Sequence, residues 1–308
     1  MEQLSVVIVT YNGAPWIEQC LTSIQQQTID CSMVVVDNNS TDATVSLIQD
    51  KFPEATVLPQ KNNLGFGAAN NIGISTALKN GATYVFLLNQ DAYFQTTTLA
   101  QLLQVAKKNP QYGIISPIHL NGDGTKLDLN FSGYIKQSNQ LFYDALFQNF
   151  KKDVYSVPFV NAAGWLLSEA TLKTIGGFDP IFFHYGEDDN YCQRVIYHKL
   201  KVGVVPNTYL YHDREFRERN PKPSIKAQLQ HKERYLKCTW GNINKNINKE
   251  VTTTKRAKLK LLLKLLLKLQ FSKVAYHYKE WLLLHKIIPE IEKSRNTNLQ
   301  KGAHYLKV

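Results

Sequence analysis

"SMVVVDNNSTDATVSLIQDKF", residues 32–52, contains one complete repeat of the expected fold. Met33 to Val36 form an apolar, largely β-branched run with no polar interruption, the pattern of a strand buried on both faces. Asp37, Asn38, Asn39 and Ser40 then break the run, and apolar residues return at helical spacing. The same cadence precedes this stretch, as "LSVVIVT" (4–10) followed by "APWIEQCLTSIQQQ" (14–27). It also follows it, as "ATVLP" (55–59), "NLGFGAANNIGISTALKN" (63–80) and the strand "YVFLLNQDA" (84–92). Strands that alternate with helices imply right-handed crossovers and a parallel sheet. The expected class is α/β, Rossmann-like, with ligands beyond the carboxyl ends of a mainly parallel central sheet.

Three of these strands end in residues able to hold a ligand: Thr10, Tyr11 and Asn12; Asp37 to Ser40; and Asn89, Gln90 and Asp91. A glycine-containing loop, "NNLGFG" (62–67), precedes the third helix. Any one of these is also ordinary turn chemistry, and "NSTD" could simply cap its helix. No GxGxxG follows the first strand and no GxxxxGK[ST] phosphate loop occurs. A phosphate-bearing ligand would therefore need other help. Asp91 is suited to a divalent cation, since Mg²⁺ or Mn²⁺ bridges carboxylate to phosphate oxygens.

The 308 residues allow one large domain, or one domain and an appendage, and 14 Phe, 16 Tyr and 4 Trp suffice for a packed core. Charge divides the chain: residues 221–308 carry 20 basic and 5 acidic side chains, against 16 and 20 in residues 1–220. The net charge of +11 thus belongs to the tail. Cys20, Cys31, Cys192 and Cys238 show no CxxC or Cys/His spacing, which argues for reduced thiols and against structural zinc. No basic segment precedes the first strand, and no run of uncharged apolar residues is long enough to span a bilayer. A cytosolic location is the expectation.

Residues 113–170 read as more β-like and less regular, as in "GIISPIHL", "KLDLNFSGYI" and "SVPFVNAAGWLLS". In "FFHYGEDDNYCQR" (182–194), Glu187, Asp188 and Asp189 follow a run of aromatic residues. Rings that desolvate a carboxylate raise its pKa and make it a better base. An acidic first turn of a helix explains the same residues, and both readings stand at this point.

Six segments occur in an order that resembles family-2 glycosyltransferases of the GT-A fold. They are "VVIVTYNGAPWIEQCLTSI", "VVVDNNSTDAT", "NNLGFGAANNIGI", "FLLNQDA", "NAAGWLLSEATLKTIGGFDPIFFHYGEDDNYCQRV" and "LYHD". They cover roughly residues 3–215 and look most similar to the bacterial rhamnosyltransferase-like branch. The resemblance implies a GT-A catalytic domain over 1–215, with a nucleotide-sugar-binding half (1–95) and an acceptor half (96–215). A helical basic extension would occupy 216–308. Thr10, Tyr11, Asn12 and Asp37 would hold base and ribose, with Asn62 and Gly65 closing over them and Asn89 and Gln90 also binding the donor nucleotide. Asp91 would be the metal-binding acid and His212 would complete the Mg²⁺ or Mn²⁺ site. Asn89 stands where the family's motif has its first acid, which weakens the expected metal site. Asp188 would be the catalytic base, with Glu187 tuning it or orienting the acceptor, and Trp165, Phe183 and Tyr185 would wall the sugar and acceptor.

The activity implied is inverting transfer of a sugar from a nucleotide-diphosphate donor, dTDP-rhamnose or a UDP-sugar, to a glycan hydroxyl. A lipid-linked polysaccharide precursor is the acceptor class. A nucleotidylyltransferase shares the layout but needs a glycine-rich basic loop that "TYNGAPWIE" lacks. A non-enzymatic adaptor for membranes or polyanions, acting through the tail, is the other alternative. In that tail, "TTTKRAKLKLLLKLLLKLQFSK" (252–273) sets Lys260, Lys264 and Lys268 on one helical stripe amid leucines. This reads as a helix packed on the protein or a second subunit, or as one lying on the cytoplasmic face of an anionic membrane. Nucleic acid fits less well, because a phosphate-tracking surface would be more polar.

Overall fold

The computed structural model describes residues 3–213 and 224–308. They divide into two units, one of residues 3–213 with 301–308 and one of residues 224–300. The charged, proline-containing segment "DREFRERNPKP" (213–223), whose composition is that of a loop or linker, lies outside the described residues apart from Asp213.

The first unit alternates as read. It runs β1 (Leu4–Thr10), α1 (Ile17–Gln25), β2 (Cys31–Asp37), α2 (Thr44–Lys51), β3 (Thr56–Pro59), α3 (Phe66–Lys79) and β4 (Tyr84–Asn89). Then come β5 (Ala92–Phe94), α4 (Thr98–Lys108), β6 (Tyr112–Asn121), α5 (Phe131–Ile135), α6 (Asn139–Leu146), β7 (Tyr155–Val157) and β8 (Gly164–Ser168). It closes with α7 (Glu169–Ile175), α8 (Glu187–Tyr197) and β9 (Lys201–His212). Strand order is β3-β2-β1-β4-β8-β6-β9-β5, with β7 paired to β9 off this path. β1 to β4 are mutually parallel and β6 is parallel to β9, while β8 runs antiparallel between β4 and β6.

The alternation of side chains along β1 explains why Val6 to Val9 form an unbroken apolar run. Val7 enters a core that contains Ile74 and Ala77 of α3 with Leu172, Tyr191 and Val195 of α7 and α8. Leu4, Val6 and Ile8 enter a second core with Leu21 of α1, Ile48 of α2 and Leu99 of α4. Both sheet faces are thereby covered. Gly73 lets α3 close onto the sheet, since a Cβ there would stand 2.3 Å from Val7 Cγ1.

Two readings of this half need correction. Part of "KLDLNFSGYI" is helical, because Asp128 Oδ1 accepts the N–H groups of Asn130 (3.0 Å) and Phe131 (3.1 Å) and starts α5. Residues 301–308 were grouped with the tail but belong to the first unit. Gly177 N donates to His304 O at 2.8 Å, and Lys307 N donates to Ser75 Oγ at 3.0 Å.

The second unit is helical, with α9 (Ile225–Trp240), α10 (Asn248–Leu267) and α11 (Phe271–Asn298). Leu236, Trp240, Ile247, Leu284, Ile287, Ile288 and Ile291 form its core. Glu280, 3% exposed, accepts from Lys232, from Lys258 (2.5 Å) and pairs with His277 Nδ1 (2.6 Å), which fastens α11 to α9 and α10. Among the described residues no helix is long and apolar enough to cross a membrane.

Candidate active site

Register brings the polar strand exits together. Thr10 lies opposite Asp37, and Val9 opposite Asn89, at one rim of the sheet. Thr10 Oγ1 donates to Asp37 Oδ1 at 3.0 Å, and Ser40 N donates to Asp37 Oδ2 at 2.9 Å. Ser40 Oγ also donates to Asp37 Oδ1 and accepts from Asn12 N at 2.9 Å. Asn12 sits in the left-handed region (φ 49°), which this short polar side chain tolerates, and its Oδ1 accepts from Thr41 N at 2.8 Å. Gln90 clamps the neighbouring residue from both sides, accepting from Tyr11 N (2.9 Å) and donating to Tyr11 O (3.2 Å).

Above this rim lies a cavity of about 540 Å³, lined in part by Tyr11, Asn12, Trp16, Asn38, Asn63, Gly65, Gln90, Asp91 and Phe183. Asn38 shapes its wall: Oδ1 accepts from Leu64 N at 3.0 Å and Nδ2 donates to Gly65 O at 3.1 Å. A second cavity, about 490 Å³, is lined by Asn130, Tyr134, Phe159, Asn161, Tyr185, Glu187, Asp188 and His212 among others. Phe66, Asn89 and His184 line both, so the two spaces adjoin. Their combined size and mixed lining suit two ligands that meet at this seam.

Asn89, Asp91 and His212 gather there. β5 pairs antiparallel with β9, Ala92 opposite His212, which brings His212 Nε2 to 3.3 Å from Asp91 Oδ1. His212 Nδ1 lies 3.5 Å from Asp128 Oδ2 on its other side, the arrangement that orients an imidazole for ligation. Asn89 Oδ1 is buried with no hydrogen-bond partner among the described residues. An orphaned acceptor of this kind calls for a donor or a cation. No cluster of three or more His, Cys, Asp or Glu placed to hold a metal occurs among the described residues.

The acidic segment opens α8. Gly186 precedes it at φ 98° and Tyr185 at φ 66°, a turn that places Glu187, Asp188 and Asp189 in the first helical turn. Burial, reinforced by the charge of Asp188, pushes the Glu187 carboxyl up to about 7. Burial and the charge of Asp189 push Asp188 up to about 6, partly offset by N–H groups that include Asp189 N, 2.9 Å from Asp188 Oδ1. Both expected features are therefore present: a helix start that favours carboxylates, and a desolvated acid. The aromatic wall is not the whole cause, because Phe183 and Tyr185 are 63% and 52% exposed. The start of α3 packs here as well, with Glu187 Cβ 3.6 Å from the Cβ position of Gly67.

Of the residues expected to hold a nucleotide, Tyr11, Asn12, Gly65, Asn89 and Gln90 line the first cavity, together with Asp91. Thr10 and Asp37 are 0% and 2% exposed and turn their oxygens on each other and on Ser40, so they support the rim from beneath. Asn62 is exposed and its place on the wall is taken by Asn63, whose Oδ1 accepts from Gly65 N at 2.9 Å. Trp165 is wholly buried, stacked on Phe178 with ring centroids 5.9 Å apart, and is core rather than wall. His184 falls within the aromatic stretch 182–185 expected as a wall, whereas Asn161, Asn130, Tyr134 and Trp16 carry no role in the sequence reading. Asn161 and Trp16 sit within quoted segments, but spacing alone does not separate a lining residue from a packed one.

The model of "Glycosyl transferase family 2" matches residues 5–176. The chain is 26% identical over 256 residues to N-acetylglucosaminyl-diphospho-decaprenol L-rhamnosyltransferase of Mycobacterium tuberculosis, covering 76% of this chain and 83% of that one. It is 23% identical over 211 residues to the dTDP-rhamnosyl transferase RfbF of Shigella flexneri, 67% of each chain. In fold it is similar to the mannosyltransferase PcManGT of Pyrobaculum calidifontis, solved in complex with GDP-Man and Mn²⁺. The TM-score is 0.53 at 19% identity, over 79% of this chain and 63%, under two thirds, of that one.

Proposed function

The chain belongs to glycosyl transferase family 2, and from that membership we propose inverting transfer of a sugar from a nucleoside-diphosphate donor to a glycan hydroxyl. The observation that carries the reading is the seam between the cavities. A polar, partly aromatic space beside Asp91 and His212 adjoins a second space that holds Asp188 and Glu187.

The donor's nucleoside occupies the first cavity, against Tyr11, Asn12 and Asn38. Its diphosphate points to Asn89, Asp91 and His212. A divalent cation fits these groups, through Asp91, His212 and the orphaned Asn89 Oδ1, and PcManGT was crystallised with Mn²⁺. Bound there, Mg²⁺ or Mn²⁺ would neutralise charge on the departing diphosphate. With an amide where an acid could stand, the protein holds the ion weakly and the nucleotide completes the site.

The acceptor occupies the second cavity, with its hydroxyl facing Asp188. Asp189 N donates to Asp188 Oδ1 at 2.9 Å and steadies the carboxylate, which takes the acceptor's proton. The acceptor oxygen forms its bond to the anomeric carbon as the bond from that carbon to the phosphate oxygen breaks on the opposite face. One displacement of this kind inverts the configuration. A carboxylate raised to about 6 is a stronger base than an ordinary one and is still ionised at neutral pH.

The names of the relatives favour dTDP-rhamnose as donor, with a UDP-sugar as the alternative, and a lipid-linked glycan precursor as acceptor. Titration calorimetry with dTDP, UDP and GDP, with and without Mn²⁺, tests the donor half. Metal-dependent binding of one base, lost in Asp91→Ala, is expected; metal-independent binding that survives this substitution would overturn it.

A further inference from the structure

The leucines of α10 divide into two sets. At 100° per residue, Leu262 and Leu265 share a face with Lys258, and all three turn inward, Lys258 onto Glu280. Leu259, Leu263, Leu266 and Leu267 lie on a separate stripe and are 49%, 54%, 44% and 87% exposed. Leu269, in the turn to α11, and Phe271, which opens α11, extend it at 71% and 63%. Lys260, Lys264 and Lys268 border the stripe on the side away from the packed face, all exposed. A continuous apolar strip of this length, fully formed and left to water, marks a contact surface.

Charge identifies the occupant. Residues 251–279 hold seven Lys and one Arg and not a single Asp or Glu. A second copy of the same surface would bring like charges together. A nucleic acid would match the lysines and leave the leucines unused. We propose that this edge, the last turns of α10 and the turn into α11, inserts into the interface of an anionic bilayer. The helix lies in the membrane plane, with the leucines and Phe271 among the acyl chains and the lysines at the phosphate level. This inference rests on the surface alone and stands apart from the reaction proposed above.

The test is co-sedimentation of the full chain with vesicles of equal parts phosphatidylglycerol and phosphatidylcholine, and with phosphatidylcholine alone. Binding to the anionic vesicles that weakens with salt is expected. Replacing Lys260, Lys264 and Lys268 together by Gln lowers the partition coefficient by on the order of a hundredfold. Leu263→Ser with Leu267→Ser also releases the protein, at unchanged melting temperature because both side chains are exposed. No binding to anionic vesicles at low salt overturns the proposal. So does a leucine variant that binds as well as the parent, or one that abolishes self-association seen by sedimentation velocity without changing vesicle binding.

Discussion

Gly65 and Phe183 meet backbone to backbone. Gly65 adopts φ 82°, and a Cβ on it would lie 1.9 Å from the Phe183 carbonyl oxygen, which accepts from Phe66 N at 3.2 Å. This contact ties the loop over the first cavity to the loop that leads into Glu187 and Asp188. The position of one loop is thereby fixed against that of the other.

Gly65→Ala should break that tie. The clash and the left-handed backbone together cost about 1–3 kcal/mol. Calorimetry should show nucleoside-diphosphate affinity falling by more than the melting temperature alone explains. Affinity within twofold of the parent would remove Gly65 from the donor site.

Asn89→Asp should strengthen metal binding. It adds a carboxylate beside Asp91 and His212, whose Nε2 and Asp91 Oδ1 are 3.3 Å apart. The Mn²⁺ concentration that half-saturates nucleotide binding should fall about tenfold, the scale of one added charge-assisted ligand. An unchanged metal dependence would place the ion elsewhere.

The raised acids imply a stability penalty with a definite sign. Glu187 titrates near 7 in the folded chain, above its ordinary value of 4.5, so the folded state retains a proton that the unfolded state loses between these values. Stability therefore falls as pH rises through this window and is level above it. Glu187→Gln should stabilise the protein at pH 8 by on the order of 1–3 kcal/mol and leave it unchanged at pH 4. Equal effects at both pH values in thermal melts would contradict the assignment.

Glu280 behaves oppositely. Burial alone would raise its carboxyl, but hydrogen bonds from Lys232, Lys258 and His277 outweigh burial and hold it down to about 2. Its contribution is present above the unfolded value near 4.5 and is lost as pH falls toward 2. Glu280→Ala leaves two lysines facing each other and should cost about 2–3 kcal/mol, reduced by the partial exposure of Lys232. Circular dichroism melts of the full chain would register this loss.

Much of the architecture was legible because it rests on periodicity. The Val6 to Val9 run of β1 alternates between two cores, and a stretch covered on both faces reads as continuously apolar. Strand exits named the rim for the same reason. The errors share a cause, since burial is a long-range outcome that composition does not encode. Trp165 lies opposite Leu87 in register and so falls in the core, although its neighbour Asn161 lines a cavity. Asn62 and Asn63 were interchangeable in sequence until the Gly65 turn selected one of them. The short helix α5 depended on a single side chain, Asp128, which also stands behind His212.

The most direct test separates binding from turnover in Asp188→Asn. The amide keeps the size and the helix start but cannot accept the acceptor's proton. The account predicts donor nucleotide affinity within about twofold of the parent and a transfer rate lower by about 10²–10⁴, the usual contribution of a general base. It also predicts loss of the rise in parent activity through pH about 6. A variant that transfers sugar at near-parental rate would contradict the account, because the acid at the seam would then have no part in the reaction.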